Sequence, residues 1–229
     1  MGNDDARSPG HGRYRALFVD YGGVLTTSMT VSFAAFSQAT GVDPARLKDV
    51  LAAAYASAED AEVPANDLHD LVRGVETGRL DPEEFDRRLA VTLSAGLPEP
   101  VTPEGLTTRL FAELKPDQRM RRAVRAARRH GLVTGLISNT WGVAAPTDVD
   151  GMFDVMMLSG RERLRKPDTE IYLLAAERAG VATDQAVFVD DIPANVEGAR
   201  RVGMTGVLHR DAAITVPKLE ALLGVALAD

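Results

Sequence analysis

Five short apolar runs constrain this chain more than any other feature: residues 16–19 (ALFV), 133–137 (VTGLI), 155–158 (VMML), 186–189 (AVFV) and 206–208 (GVL). Each is bounded by turn or breaker residues and none alternates strictly, which fits strands buried on both faces. The segments between them have helical spacing. Met120, Ala123, Val124 and Ala127 share one helical face in a segment ending His130-Gly131-Leu132, and Ile171, Leu174 and Ala175 do so in one ending Ala179-Gly180-Val181. A third such segment starts near Ala194 and ends Val202-Gly203-Met204. A glycine followed by an apolar residue is the sequence form of a left-handed helix cap. Strand and helix alternate about every 25 to 30 residues, the rhythm of right-handed crossovers in a parallel sheet. The expected fold is therefore α/β, a Rossmann-like doubly wound parallel sheet.

Residues 28–104 break that rhythm. Apolar residues recur at helical spacing at Phe33/Phe36, Leu47/Val50/Leu51/Ala54, Leu68/Leu71/Val72/Val75 and Phe85/Leu89/Leu93, with no strand pattern between them. We expect an inserted α-helical cap domain over 28–104, returning through the proline-rich stretch GLPEPVTP to a core made of 14–27 and 105–229. The first thirteen residues, MGNDDARSPGHGR, are expected to form a flexible leader.

Composition narrows the function. The 229 residues carry 26 Lys+Arg against 33 Asp+Glu, a net charge of −7, which argues against nucleic acid as a partner. At 45% apolar residues, the chain has enough material for a large core. No apolar run approaches the ~18 residues needed to span a bilayer, so no membrane partner is expected. Zero cysteines exclude disulfides, thiolate metal sites and a cysteine nucleophile, and accord with a cytoplasmic location. Nothing in the sequence speaks to oligomeric state.

In an open parallel sheet, chemistry collects at the carboxyl ends of the strands. The first strand delivers Asp20 into Tyr21-Gly22-Gly23, where two glycines let the backbone turn tightly beside an anion. The second ends at Ser138-Asn139-Thr140, a run of neutral hydrogen-bond donors, and Lys166 follows the third in Arg165-Lys166-Pro167-Asp168. The fourth ends in Asp190-Asp191. Taken singly, each has an ordinary reading: turn cap, solvated lysine, helix N-terminal acid. Brought together, three carboxylates repel unless a cation neutralises them, and an all-oxygen set without His or Cys favours Mg²⁺. Lysine and serine suit a phosphate. The implied chemistry is metal-assisted attack of a carboxylate on a phosphoryl centre.

The four elements FVDYGGVLT, GLISNT, RKPDTEIY and VFVDDIPANVEGA resemble, in order, the motifs of the haloacid dehalogenase (HAD) superfamily. They are most similar to phosphatase-like members with a helical cap, including the amino-terminal domain of soluble epoxide hydrolases. The resemblance spans about residues 14–223. It implies that Asp20 is the nucleophile, that Ser138 and Asn139 hold phosphoryl oxygens with the Gly22-Gly23 turn beside them, and that Lys166 neutralises charge. It also implies Mg²⁺ ligands at Asp20, the Gly22 carbonyl, Asp191 and Asp190. The expected activity is a Mg²⁺-dependent phosphohydrolase for a small phosphorylated metabolite.

One departure stands out: family phosphatases usually carry a second aspartate two residues after the nucleophile as general acid and base, and here that residue is Gly22. Such help is worth ~10²- to 10⁴-fold, so its absence favours good leaving groups. Two other readings follow: a metal-independent 2-haloacid dehalogenase, and a degenerate binding protein without turnover. The arginines at 119, 121, 122, 125, 128 and 129 read as a solvated helix face, Trp141 as pocket wall or core, and the four histidines carry no assigned role.

Overall fold

A computed structural model describes residues 12–55, 67–142 and 147–227. The expected leader, with His11, lies outside the described residues except for Gly12 and Arg13. Five parallel strands form one sheet: β1 (Ala16–Val19), β2 (Val133–Ser138), β3 (Val155–Leu158), β4 (Ala186–Asp190) and β5 (Thr205–Leu208). Their order is β3-β2-β1-β4-β5. Ten helices accompany them among the described residues: α1 (Met29–Thr40), α2 (Pro44–Tyr55), α3 (Asp67–Glu76), α4 (Pro82–Ser94), α5 (Leu106–Leu110), α6 (Gln118–Arg129), α7 (Ser159–Glu162), α8 (Thr169–Ala179), α9 (Pro193–Arg201) and α10 (Ala212–Leu223).

The sheet is covered on both faces, which explains why its strands read as unbroken apolar runs. Successive side chains point to opposite sides. Leu17 and Val19 of β1, with Val187 and Val189 of β4, pack against α6 and α10 through Val124, Val216 and Leu219. Ala16 and Phe18, with Ala186 and Phe188, pack on the other face against α8 and α9 through Ile171, Ala175 and Ala199. The three glycine-ended helices close as expected. Gly131, Gly180 and Gly203 have φ of 86°, 64° and 92°. In each case the following residue's N–H donates back to a carbonyl five residues earlier: Leu132 to Ala127 at 3.1 Å, Val181 to Ala176 at 3.1 Å and Met204 to Ala199 at 3.1 Å. These bonds satisfy carbonyls that a helix end otherwise leaves open.

Helices α1 to α5 build a separate apolar cluster from Phe33, Phe36, Leu47, Val72, Phe85 and Leu89, joined by Leu106 and Leu110. The outgoing and returning chains run side by side: the Thr27 N–H donates to Lys115 at 2.8 Å, and the Asp117 N–H donates to Leu25 at 2.9 Å. The helical cluster thus includes α5 and rejoins the sheet at 115–117, later than the proline-rich stretch indicates. Its cause is burial, because Leu106 and Leu110 find their apolar partners among the helices. No helix of the described residues is long and apolar enough to cross a membrane.

The arginine-rich helix α6 departs from expectation at one position. Arg121 is 3% exposed, donates to the Leu25 carbonyl at 3.0 Å and pairs with Asp148 at 2.7 Å. The helical period turns it toward the sheet, while residues 119, 122, 125, 128 and 129 stay exposed.

Helix α9 sits so close to the loop bearing Lys166 that a Cβ added at Gly198 meets the Pro167 carbonyl oxygen at 2.6 Å and Tyr172 at 3.0 Å. A Gly→Ala change inside a helix ordinarily stabilises by about 1 kcal/mol. Overpacking costs about 1–3 kcal/mol and wins here. Gly198→Ala is expected to lower the urea midpoint; a raised midpoint contradicts this packing.

Candidate active site

The site lies where the strand order turns around β1, at the carboxyl ends of the strands. Val19 pairs with Val189 in register, so the residues that follow them, Asp20 and Asp190, emerge side by side. The Asp20 N–H donates to the Val189 carbonyl at 2.9 Å. One carboxylate oxygen each from Asp20, Asp190 and Asp191 lies within 4.8 Å of the others. Three like charges this close need compensation.

Lys166 supplies part of it. Its Nζ is 2.7 Å from Asp20 Oδ1 and 2.6 Å from Asp190 Oδ2, and the side chain is 1% exposed. Its backbone is fixed by a reciprocal amide pair: the Lys166 N–H donates to Asn139 Oδ1 at 2.9 Å, and Asn139 Nδ2 donates to the Lys166 carbonyl at 3.0 Å. Asp190 is fully buried and its oxygens are occupied. Oδ1 accepts from the Ile192 N–H at 2.8 Å, while Asn195 Nδ2 bridges both oxygens at 3.2 and 3.1 Å. Asp190 therefore holds the lysine and the start of α9 in place, whereas Asp20 and Asp191 face open space.

That space is a cavity of about 380 Å³. Asp20, Gly22, Ser138, Asn139, Lys166 and Asp191 line it, with Tyr21, Thr140 and Asn195; Met29, Phe111, Leu114, Trp141 and Ile192 add apolar wall. Of the sequence-expected residues, Gly23 and Asp190 sit behind this surface. Gly23 has φ of 74°, and a Cβ there would lie 2.3 Å from Asp191 Oδ2, so glycine is what allows that carboxylate to approach the turn. Gly22 is different: a Cβ there meets Met29 Cγ at 3.7 Å, an ordinary contact.

Burial pushes the Asp20 carboxyl up to about 6, with the Lys166 charge pulling down and Asp190 adding to the rise. Burial, then repulsion from Asp20 and Asp190, pushes Asp191 up to about 7. Burial by itself would lower Lys166, but Asp190 and Asp20 outweigh it and hold the ammonium above its ordinary value. The carboxylates thus face the cavity short of positive charge.

Several residues of the site escaped the sequence reading. Glu76, at the end of α3, lines the cavity, and its carboxylate accepts from Trp141 Nε1 at 2.9 Å. Trp141 is both pocket wall and core: it is 4% exposed and packs edge-on to Phe85 at 5.5 Å, with Phe111 at 5.4 Å. Asn195 was visible inside the fourth motif, in the first turn of its helix, and only its side-chain bonds to Asp190 single it out. Glu76 and Met29 gave no sequence signal, because their helices belong to the insertion. His209 is buried and bonds Thr215 Oγ1 at 2.9 Å, away from the cavity lining.

The sequence model for haloacid dehalogenase-like hydrolases matches residues 14–203. Bifunctional epoxide hydrolase 2 of Sus scrofa is 27% identical over 154 residues, 63% of this chain and 28% of that protein. The chain thus spans little more than a quarter of that relative. The sesquiterpene phosphatase astK of Aspergillus oryzae is 26% identical over 178 residues, covering 72% of this chain and 88% of that one. Among solved structures, a HAD-like family hydrolase from Porphyromonas gingivalis superposes with a TM-score of 0.67 at 21% identity, covering 92% and 98% of the two chains.

The raised carboxyls have a thermodynamic consequence. Asp20 and Asp191 shift from an ordinary 3.8 to about 6 and about 7, so between those values the folded, cation-free protein holds protons that the unfolded chain has released. Their contribution to stability is present below about 4 and is lost as pH rises toward 7. In EDTA, the thermal midpoint of the wild type relative to Asp191→Asn is expected to fall from pH 5 to pH 8. A wild-type midpoint that rises relative to Asp191→Asn over that range would contradict the assignment.

Proposed function

The chain belongs to the haloacid dehalogenase-like hydrolase family, and from that premise we propose that it is a Mg²⁺-dependent phosphohydrolase acting through an aspartyl-phosphate on Asp20. One observation carries the reading: Asp20 sits at the floor of a cavity, ion-paired to a buried lysine and flanked by Ser138, Asn139 and Asp191. A phosphoryl group placed there meets a carboxylate nucleophile, a cation and neutral donors together.

The donor set fits a hard divalent cation. Three clustered carboxylates against one lysine leave a formal charge of 1 − 3 = −2, and every side-chain ligand atom is oxygen. Asp20, Asp191 and the Gly22 carbonyl would hold the ion, with Asp190 behind them. When bound, Mg²⁺ supplies charge neutralisation at the phosphoryl oxygens. The chain's own groups do the rest. Asp20, ionised beside Lys166, attacks phosphorus, and the bond to the substrate oxygen breaks with its electron pair. Lys166 Nζ, beside Asp20 Oδ1, and the Ser138 hydroxyl receive the developing equatorial charge. Water then cleaves the aspartyl-phosphate and restores the carboxylate. Gly22 offers no proton to the departing oxygen, so good leaving groups such as acyl phosphates react best.

The organic part of the substrate is expected to be small and largely apolar. Met29, Phe111, Leu114 and Trp141 form the wall away from Asp20, and the Aspergillus relative is a sesquiterpene phosphatase. We assign α1 to α5 the role of a cap that excludes water over this cavity. The absence of cysteine accords with a cytoplasmic setting.

The test is phosphate release from acetyl phosphate, p-nitrophenyl phosphate and hexyl phosphate, with Mg²⁺ and with EDTA. Turnover is expected only with Mg²⁺, and Asp20→Asn is expected to lower it by about 10³-fold or more. Full activity of Asp20→Asn would end the mechanism, and chloride release from a 2-haloacid in EDTA would replace it with dehalogenation. A second measurement addresses position 22, where a side chain has room. Gly22→Asp is expected to raise hexyl phosphate turnover relative to acetyl phosphate by about 10²-fold; an unchanged ratio would show that the acid lies elsewhere.

A further inference from the structure

Two segments of the sheet unit reach the phosphate end of the cavity: the β2 end, with Ser138 and Asn139, and the loop around Lys166. Both are fastened to one carboxylate that belongs to neither. Glu76 ends α3 in the inserted helices and is 2% exposed. Its Oε1 accepts from Nε1 of Trp141, three residues past Ser138, at 2.9 Å. Its Oε2 pairs at 2.7 Å with Nε of Arg165, the residue before Lys166.

Nearby contacts strengthen the same junction. Arg73, one turn earlier on α3, pairs with Asp168 at 3.2 Å. The turn after α3 packs so closely that a Cβ at Gly78 would lie 2.5 Å from the Gly160 carbonyl oxygen. A buried ion pair is weak support for stability as such, because desolvating two charges offsets their attraction. A pair retained at this place has a positional consequence: each oxygen of Glu76 fixes a different loop, and the Asn139–Lys166 amide pair joins those loops to each other.

We propose that Glu76 is a positioning residue that locks both phosphate-contacting loops, 138–141 and 165–168, to the inserted helices in one geometry. Displacing α3 releases Trp141 and Arg165 together, so Ser138 and Lys166 are aligned when the helices are seated. The kinetic consequence rests on the phosphohydrolase reading; the structural clamp does not. Glutamine at 76 retains an acceptor for Trp141 but turns an amide toward Arg165, where one donor would face another.

The experiment compares wild type with Glu76→Gln by amide hydrogen exchange without substrate, by tryptophan emission and by p-nitrophenyl phosphate turnover. Trp141 is the only tryptophan in the chain, so emission reports the surroundings of this one indole. Glu76→Gln is expected to speed exchange in both loops, shift emission to the red and lower kcat by about 10²-fold with KM little changed. Glu76→Gln combined with Arg165→Met removes both charges of the pair and is expected to fold near the wild-type midpoint, keeping the Trp141 contact and loosening 165–168. Faster exchange confined to α3, or a folded variant with wild-type loops and turnover, would overturn the proposal. If the wild type hydrolyses no phosphate ester, the phosphohydrolase reading fails, and exchange and emission still decide the clamp.

Discussion

The buried ammonium of Lys166 is the interaction on which the rest of the site depends. An isolated charge is expelled from a protein interior unless it is paired and hydrogen-bonded. Here the pairing is double, to Asp20 and Asp190, and the two carboxylates are adjacent because β1 and β4 run parallel and in register. The lysine in turn permits two aspartates to end neighbouring strands in a buried crevice. Around that triad the remaining constraints follow. Asn195 and the Ile192 N–H saturate Asp190, Asn139 holds the lysine backbone, and Gly23 makes room for Asp191. Asp20 and Asp191 remain open to the cavity, which leaves it short of positive charge.

The inserted helices bring a second kind of constraint, made of packing more than charge. Their apolar cluster takes in Trp141, a residue that the β2 end sends out of the sheet unit. Phe33, Phe85 and Phe111 surround the indole, and Glu76 accepts its N–H. The same ring faces the cavity, so the apolar wall of the cavity and the joint between helices and sheet are one object. On the proposed reading, the apolar wall and the charged floor would sort a ligand end to end, phosphate toward Lys166 and carbon toward Phe111.

Much of this was legible in the sequence because it rests on local periodicity. The five strands, buried on both faces, announced themselves as unbroken apolar runs, and the glycines at 131, 180 and 203 took the left-handed conformations that their place after a helix demands. Asp20, Ser138 and Asp191 were legible as residues leaving strand ends, and Lys166 as the lysine beyond the third strand, since a parallel sheet delivers its strand ends to one edge. What stayed hidden had no period to betray it. Arg121 is one of six arginines in a run, and only the rotation of α6 against the sheet distinguishes it from its exposed neighbours. Leu106 and Leu110 follow a proline-rich stretch that reads as a return to the sheet, yet they pack with the helices because apolar partners are there.

The sequence by itself therefore determined the fold class, the polarity of the sheet and the set of residues gathered at its carboxyl edge, because each depends on spacing along one strand or one helix. The division of labour within that set was decided by tertiary structure. Asp190 and Asp191 are neighbours in the chain, but the pleat turns one inward to Lys166 and Asn195 and leaves the other facing the cavity. Glu76 was a helix-end glutamate like many others until folding placed it, 65 residues before Trp141, against a single indole and a single guanidinium. Burial and the direction of a side chain depend on what packs against it, and for these residues the partner lies in a different part of the chain.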